Sequence, residues 1–144
     1  MTHEDKGSYG KKRPPDLKLN PAIAERVKQG SAEGKISCAA AFKVASELKV
    51  APEEVSATID LLEIPIIKCQ LGLFGYAPVK RAVKAAETVS PALEAAIRES
   101  LVKGKFPCAS AWEIAQKFKI AKMEVSSASE ALKIKISTCQ LETF

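Results

Sequence analysis

The chain has 144 residues, of which 47% are apolar and 27% charged, with four cysteines and a net charge of +5 at neutral pH. No apolar run approaches the roughly 18 residues that a membrane span requires, which excludes a membrane protein and leaves a soluble globular one as the expectation. The first residues are basic but are followed by neither an apolar core nor a small-residue cleavage pattern, so they are not a secretory signal. A cytoplasmic location with reduced thiols is therefore expected.

Residues 1–19 hold Gly7, Gly10, Pro14 and Pro15 among Lys6, Lys11, Lys12 and Arg13, with almost no large apolar side chain. A disordered basic arm is predicted there. Asn20-Pro21 then places a capping side chain before a proline at the first helical position, where a missing N–H costs nothing. The helix so begun carries Ile23 and Val27 on one stripe and weakens at Gly30, which predicts a short element. Gly34-Lys35-Ile36 is too short for a helix and reads as a turn and a strand. From Cys38 the apolar period becomes 3.6, with Ala41, Val44, Ala45 and Leu48 on one face. Lys49-Val50-Ala51 breaks the period, and a third helix from Pro52 buries Val55, Ile59 and Leu62. Ile64 to Cys69 then reads as a strand. Gly72 to Tyr76 can turn and return beside it. Residues 77–89 carry Val79, Val83 and Ala86 at helical spacing beside Lys80, Arg81 and Lys84, which predicts a basic linker helix.

The same order then recurs. Residues 20–71 pair with 90–141 without a gap, and nineteen of the fifty-two paired positions are identical. A pairing of that length means one fold made twice, with a period of 70. Ser90-Pro91 opens the second copy, whose stripe is Leu93, Ile97 and Leu101. Gly104-Lys105-Phe106, the helix with Ala111, Ile114, Ala115 and Phe118, the break at Lys119-Ile120-Ala121, the helix with Val125, Ala128 and Leu132, and the strand from Ile134 to Cys139 follow. Units of about fifty residues are near the lower limit for an independent core, so two mutually supporting units are expected. Charge is unevenly placed: +2 in 1–19, −1 in 20–71, +2 in 72–89, +3 in 90–141 and −1 in 142–144.

Helix, short strand, helix, tight turn, helix, strand is the order of a winged helix. Val44-Ala45-x-x-Leu48-x-Val50-x-x-x-x-Val55-x-x-x-Ile59-x-x-Leu62 resembles the helix-turn-helix pattern, in which a small residue lets two helices approach and later apolar residues fill the angle between them. Ile114, Ala115, Phe118, Ile120, Val125, Ala128 and Leu132 repeat it. The resemblance is to the superfamily. It implies a mainly α fold with short β-strands: a basic arm (1–19), a first winged-helix-like repeat (20–76), a linker helix (77–89) and a second repeat (90–144) without a full wing.

What the resemblance implies for function is DNA binding in transcriptional control. Where the pattern usually has a glycine at the turn, this chain has Lys49 and Lys119, which predicts distortion or strain. The third helix of the first repeat carries Glu53, Glu54, Asp60 and Glu63 and no cation, a pattern that phosphates repel, so a protein partner is the expectation for that face. The second repeat is the better DNA candidate. Its Lys122 and Lys133 flank Ser126, Ser127 and Ser129, with Lys80, Arg81 and Lys84 in the linker and Lys11, Lys12 and Arg13 in the arm as phosphate or minor-groove contacts. Solvated helix faces are the plain alternative for all of these. A protein-interaction adaptor that keeps the fold and does not bind DNA is the rival function.

Cys38 and Cys108 fall at helix N-termini, and Cys69 and Cys139 fall near strand ends, so each unit can bring two thiols together. Buried inert cysteines, a redox or disulfide pair, and a four-thiolate metal site all remain open, because no C-x-x-C spacing chooses among them. Catalysis has little to draw on: His3 is the single histidine and lies in the arm, and there is no glycine-rich phosphate loop and no nucleophile elbow. A non-enzymatic protein without a cofactor is expected.

Overall fold

The structure is a computed structural model that describes residues 7–79 and 81–143. It is mainly helical with a few two-residue strands. In chain order the elements are α1 (Pro21–Gly30), β1 (Ile36–Ser37), α2 (Cys38–Leu48), α3 (Pro52–Leu61), β2 (Ile66–Ile67), α4 (Pro91–Glu99), β3 (Phe106–Pro107), α5 (Cys108–Phe118), α6 (Lys122–Ala131) and β4 (Ile136–Ser137). The order up to β2 recurs from α4 to β4.

Local chemistry accounts for the helix starts. Asn20 Oδ1 accepts from the N–H groups of Ala22 and Ile23 at 3.0 and 3.3 Å, and Ser90 Oγ accepts from Leu93 N at 3.2 Å. Contrary to expectation α1 is the longer copy, ten residues against nine in α4, because Gly30 is still helical. The short strands pair in parallel, Ile36 with Ile66 and Phe106 with Ile136, so the segment before each second helix is tied to the segment after each third one. No wing of antiparallel strands occurs among the described residues. Instead the chain doubles back after β2 through Lys68 N–Gly75 O and Cys69 N–Phe74 O contacts of 3.3 and 3.2 Å. A Cβ at Gly75 would stand 2.4 Å from Lys68 N, and the residue has φ +82°, so only glycine fits this return.

One core runs through both halves. Ile23, Val27, Ile36, Ile59 and Ile66 join Ile97, Phe106, Val125, Ala128 and Leu141 in a single buried cluster. Against it the half-buried rings of Phe42 on α2 and Trp112 on α5 stand 4.2 Å apart, inclined at 43°. That geometry is favourable for an aromatic pair and binds the halves at equivalent positions.

Two expectations fail, and both concern segments outside the repeats. Residues 81–90 form no helix. Their N–H groups turn outward instead: Ala82 and Val83 donate to Gly72 O at 2.8 and 3.1 Å, and Ala86 donates to Ser127 O at 3.0 Å. Tertiary hydrogen bonds and burial of Val83 outweigh the helical period of the segment. The arm is likewise ordered over Tyr9–Lys12, a 3₁₀ turn with Tyr9 only 5% exposed; residues 1–6 lie outside the described ones.

Glu63 holds that turn by accepting from Tyr9 N and Gly10 N at 2.7 and 2.8 Å. Arg13 then joins three parts of the chain. It meets Asp60 Oδ2 through Nη2 at 2.7 Å, donates to Ser56 Oγ at 2.8 Å, and pairs with Glu142 at 3.2 Å. Ser56 Oγ in turn donates to Leu141 O at 2.5 Å. Burial pushes the Asp60 carboxyl above its ordinary range, and Arg13 and Lys12 pull it only part of the way back. Removing Arg13 thus leaves a carboxylate that is 1% exposed with its main partner gone. R13A is expected to cost about 3 kcal/mol in urea unfolding, and R13A/D60N to recover much of that loss, because the double variant leaves no buried charge.

Candidate functional site

The α2–α3 and α5–α6 corners are built alike. Lys49 and Lys119 occupy the left-handed region at φ 55° and 56°, and Val50 N and Ile120 N reach back to Ala45 O and Ala115 O, both at 3.0 Å. The expected distortion is absent: lysine takes the glycine conformation, at a cost of about 1 kcal/mol per corner. Small Ala45 and Ala115 are buried at the approach of the helices.

The residues proposed to touch DNA do not share an accessible face. Ser126 and Ser129 are 0% and 1% exposed; Ser129 Oγ donates to Ile134 O at 2.5 Å, and Ser126 Oγ is buried without a hydrogen-bond partner. Ser127 is half-buried, with its carbonyl accepting from Ala86 of the linker. Lys122 lies 4.5 Å over the Trp112 ring. Arg81 pairs with Glu130, while Lys12 and Arg13 hold Asp60 and Glu142. Lys11, Lys84 and Lys133 are exposed, and Lys80 lies outside the described residues.

Both third helices are in fact covered by chain from elsewhere. The turn at Tyr9–Lys12 and residues 141–142 lie on α3. Linker residues 82–90 share a cleft with Met123, Glu124, Ser127 and Ala128 of α6, and a Cβ at Gly72 would stand 3.1 Å from the Met123 side chain. The serine stripe is the inner face of α6 because Val125 and Ala128 share it.

The four cysteines, by contrast, are brought together. Cys38 and Cys108 are the first residues of α2 and α5, one turn before Phe42 and Trp112. Cys38, Cys69 and Cys108 belong to the shared core, and Cys139 packs against it. All four are free thiols. Cys38 is within electrostatic reach of Cys69, Cys139 and Cys108, and Cys108 of Cys139 and Cys69.

Three of the sulfurs also receive donors from the loop after a short strand. Gln70 Nε2 reaches Cys38 Sγ at 4.0 Å, and Gln140 Nε2 reaches Cys108 Sγ at 3.6 Å. Leu141 N and Thr143 Oγ1 reach Cys139 Sγ at 3.3 and 2.9 Å. Beside Cys108, Ala109, Trp112, Lys122 and Gln140 line an open cleft of about 630 Å³. Trp112 Nε1 is buried and has no hydrogen-bond partner. No group of three or more His, Cys, Asp or Glu among the described residues is arranged to hold a metal ion. Neither the donors nor the helix dipoles make Cys38 and Cys108 reactive, because burial pushes Cys38 up to about 12 and Cys108 to about 11, with the neighbouring thiols adding to the rise.

Comparison with protein-family models, with curated proteins and with solved structures returned no match. No described helix is long and apolar enough to cross a membrane.

The raised thiols fix a pH dependence. Below the ordinary value of 9.0 both states hold the protons and the stability of the fold is complete; as pH rises toward about 11 to 12 the unfolded chain ionises first and that stability is lost. Urea midpoints should fall steadily above pH 9. Alkylation at pH 8 should run about a hundredfold slower in the folded chain than in denaturant.

Proposed function

We propose that the protein is a non-enzymatic binding protein made of two winged-helix-like halves, a duplicated unit that serves as an interaction adaptor and does not read DNA with its third helices. The corners with Lys49 and Lys119 in one conformation, equal strand registers and a gapless sequence pairing support the duplication. The observation that carries the adaptor reading is the cover on α3 and α6, with Ser126 and Ser129 interior.

A recognition helix must present side chains to base edges, and a helix packed on its reading face by its own chain has none to offer. The partner-facing candidate is the acidic side of α3, where Glu53 and Glu54 are exposed and share a groove with Leu17, Lys18 and Leu61. Such a surface favours a basic partner segment with an apolar anchor, and repels phosphate. The proposed setting is the cytoplasm, where the four thiols stay reduced.

DNA binding remains the second reading, supported by the net charge of +5 and by exposed Lys11, Lys84 and Lys133. Fluorescence anisotropy with a random duplex separates the two. The adaptor reading expects no binding at about 50 mM salt and no effect of K133E. Binding that falls by 10³ or more between about 50 and 200 mM salt, and is weakened by K133E, would establish the DNA reading instead.

A further inference from the structure

We propose that α3 is a docking surface for a protein segment with an aromatic ring and, four places after it, an arginine, and that Tyr9–Arg13 of the arm fill this surface as an exchangeable occupant. The inference rests on the adaptor reading of α3 and names the chemistry of the partner.

The bound arm shows what the surface recognises. Tyr9 is 5% exposed, and the Glu63 carboxylate accepts from two successive backbone groups, Tyr9 N and Gly10 N, at 2.7 and 2.8 Å. Two neighbouring N–H groups converge on one carboxylate only where the backbone turns, here after Ser8 at φ 52°, so this contact reads conformation. Side chains are read further on. Arg13 donates through Nε to Asp60 Oδ2 and through Nη2 to Ser56 Oγ, both at 2.8 Å, and Lys12 Nζ stands 3.2 Å from Asp60 Oδ2. A planar guanidinium meets both acceptors at once, which a single ammonium does not.

The other half supplies a second instance. Asp60 and Glu130 are equivalent positions, and each is met by an arginine from the segment that leads into its own half, Arg13 from the arm and Arg81 from the linker. Laying an arginine-bearing segment across the third helix is thus a property of the duplicated unit. The two segments differ in how they are held. The linker is tied on both sides of the contact, with Ala82 and Val83 on Gly72 O and Ala86 on Ser127 O. The arm instead joins α1 through residues 14–19, all exposed, whose hydrogen bond from Leu17 N to Pro14 O is internal to the tether. It can leave α3 without unwinding α1, and half of its ion pairs lie where water competes, with Lys12 39% and Glu142 45% exposed.

Beyond Arg13 the surface continues into a groove of about 320 Å³ lined by Leu17, Glu53, Glu54 and Leu61. An incoming basic segment with a further apolar residue gains contacts there, and these offset the cost of displacing the arm.

The test titrates a fluorescein-labelled peptide with the sequence of residues 7–19 into the full chain and follows its anisotropy. The arm competes in the wild-type chain, so weakening it with Y9A should tighten peptide binding about tenfold or more, because apparent affinity scales with the open fraction. On the Y9A chain, a peptide carrying R13A should bind about tenfold or more weakly, and adding E63Q to the chain should weaken the unaltered peptide to a similar extent. If Y9A disturbs the far-ultraviolet dichroism, amide exchange in the wild-type chain decides: saturating peptide should speed exchange at Tyr9 and Gly10 about tenfold or more. No binding to a Y9A chain with unchanged dichroism, equal binding of the R13A peptide, or saturation of the wild-type chain with exchange at Tyr9 and Gly10 unchanged would each overturn the proposal. In the last case, loss of binding in E53K/E54K would leave the adaptor reading standing, and the duplex DNA titration judges that reading separately.

Discussion

The fold depends on where the third helix of each half is placed. In α3, Ser56 and Asp60 face a strap made by Arg13 and by the carbonyl of Leu141, a residue from the far end of the chain. In α6, the equivalent Glu130 pairs with Arg81 of the linker, and Ser127 O accepts from Ala86 N. The arm, the C-terminal residues and the linker thus close the third helices, and a unit of about fifty residues, too small to bury a core alone, becomes part of one continuous core. A helix that performs this closure cannot also lie in a groove of DNA.

The same arrangement creates the thiol centre. Tying β1 to β2 and β3 to β4 sets the first residue of α2 near the loop at Cys69, and that of α5 near the loop at Cys139. Phe42 on α2 and Trp112 on α5 then meet across the halves. Burial keeps the Cys38 and Cys108 thiols protonated, which argues against a reactive cysteine at either position. The structural interior and the candidate site are therefore one region.

Much of the fold was legible in the residues. The caps at Asn20 and Ser90, the small Ala45 and Ala115, and the change of period at Lys49 and Lys119 are local signals, and local hydrogen bonds carry them out. The linker, the arm and the serines were not legible, for a common reason. Val79, Val83 and Ala86 have helical spacing, yet their segment is fixed by Gly72 and Ser127, which no local pattern names. Arg13 looks like a free cation until Asp60 is seen to be interior. Ser126 and Ser129 look solvated because serine usually is, whereas both lie on the inner face of their helix, Ser129 with its hydroxyl on Ile134 O. The meeting of four cysteines was open as one alternative, since pairing within a unit is a matter of strand order, but joining the pairs needs the docking of the halves.

Substitution at Ser126 tests the covered third helix most directly. On an exposed reading helix, lysine at this position would be tolerated and would strengthen binding to duplex DNA. In the interior position, where the side chain is 0% exposed and its hydroxyl has no partner, S126A should be neutral or slightly stabilising, whereas S126K should cost more than about 3 kcal/mol or abolish cooperative unfolding. A stable S126K that binds duplex DNA more tightly than the wild-type chain would contradict the account.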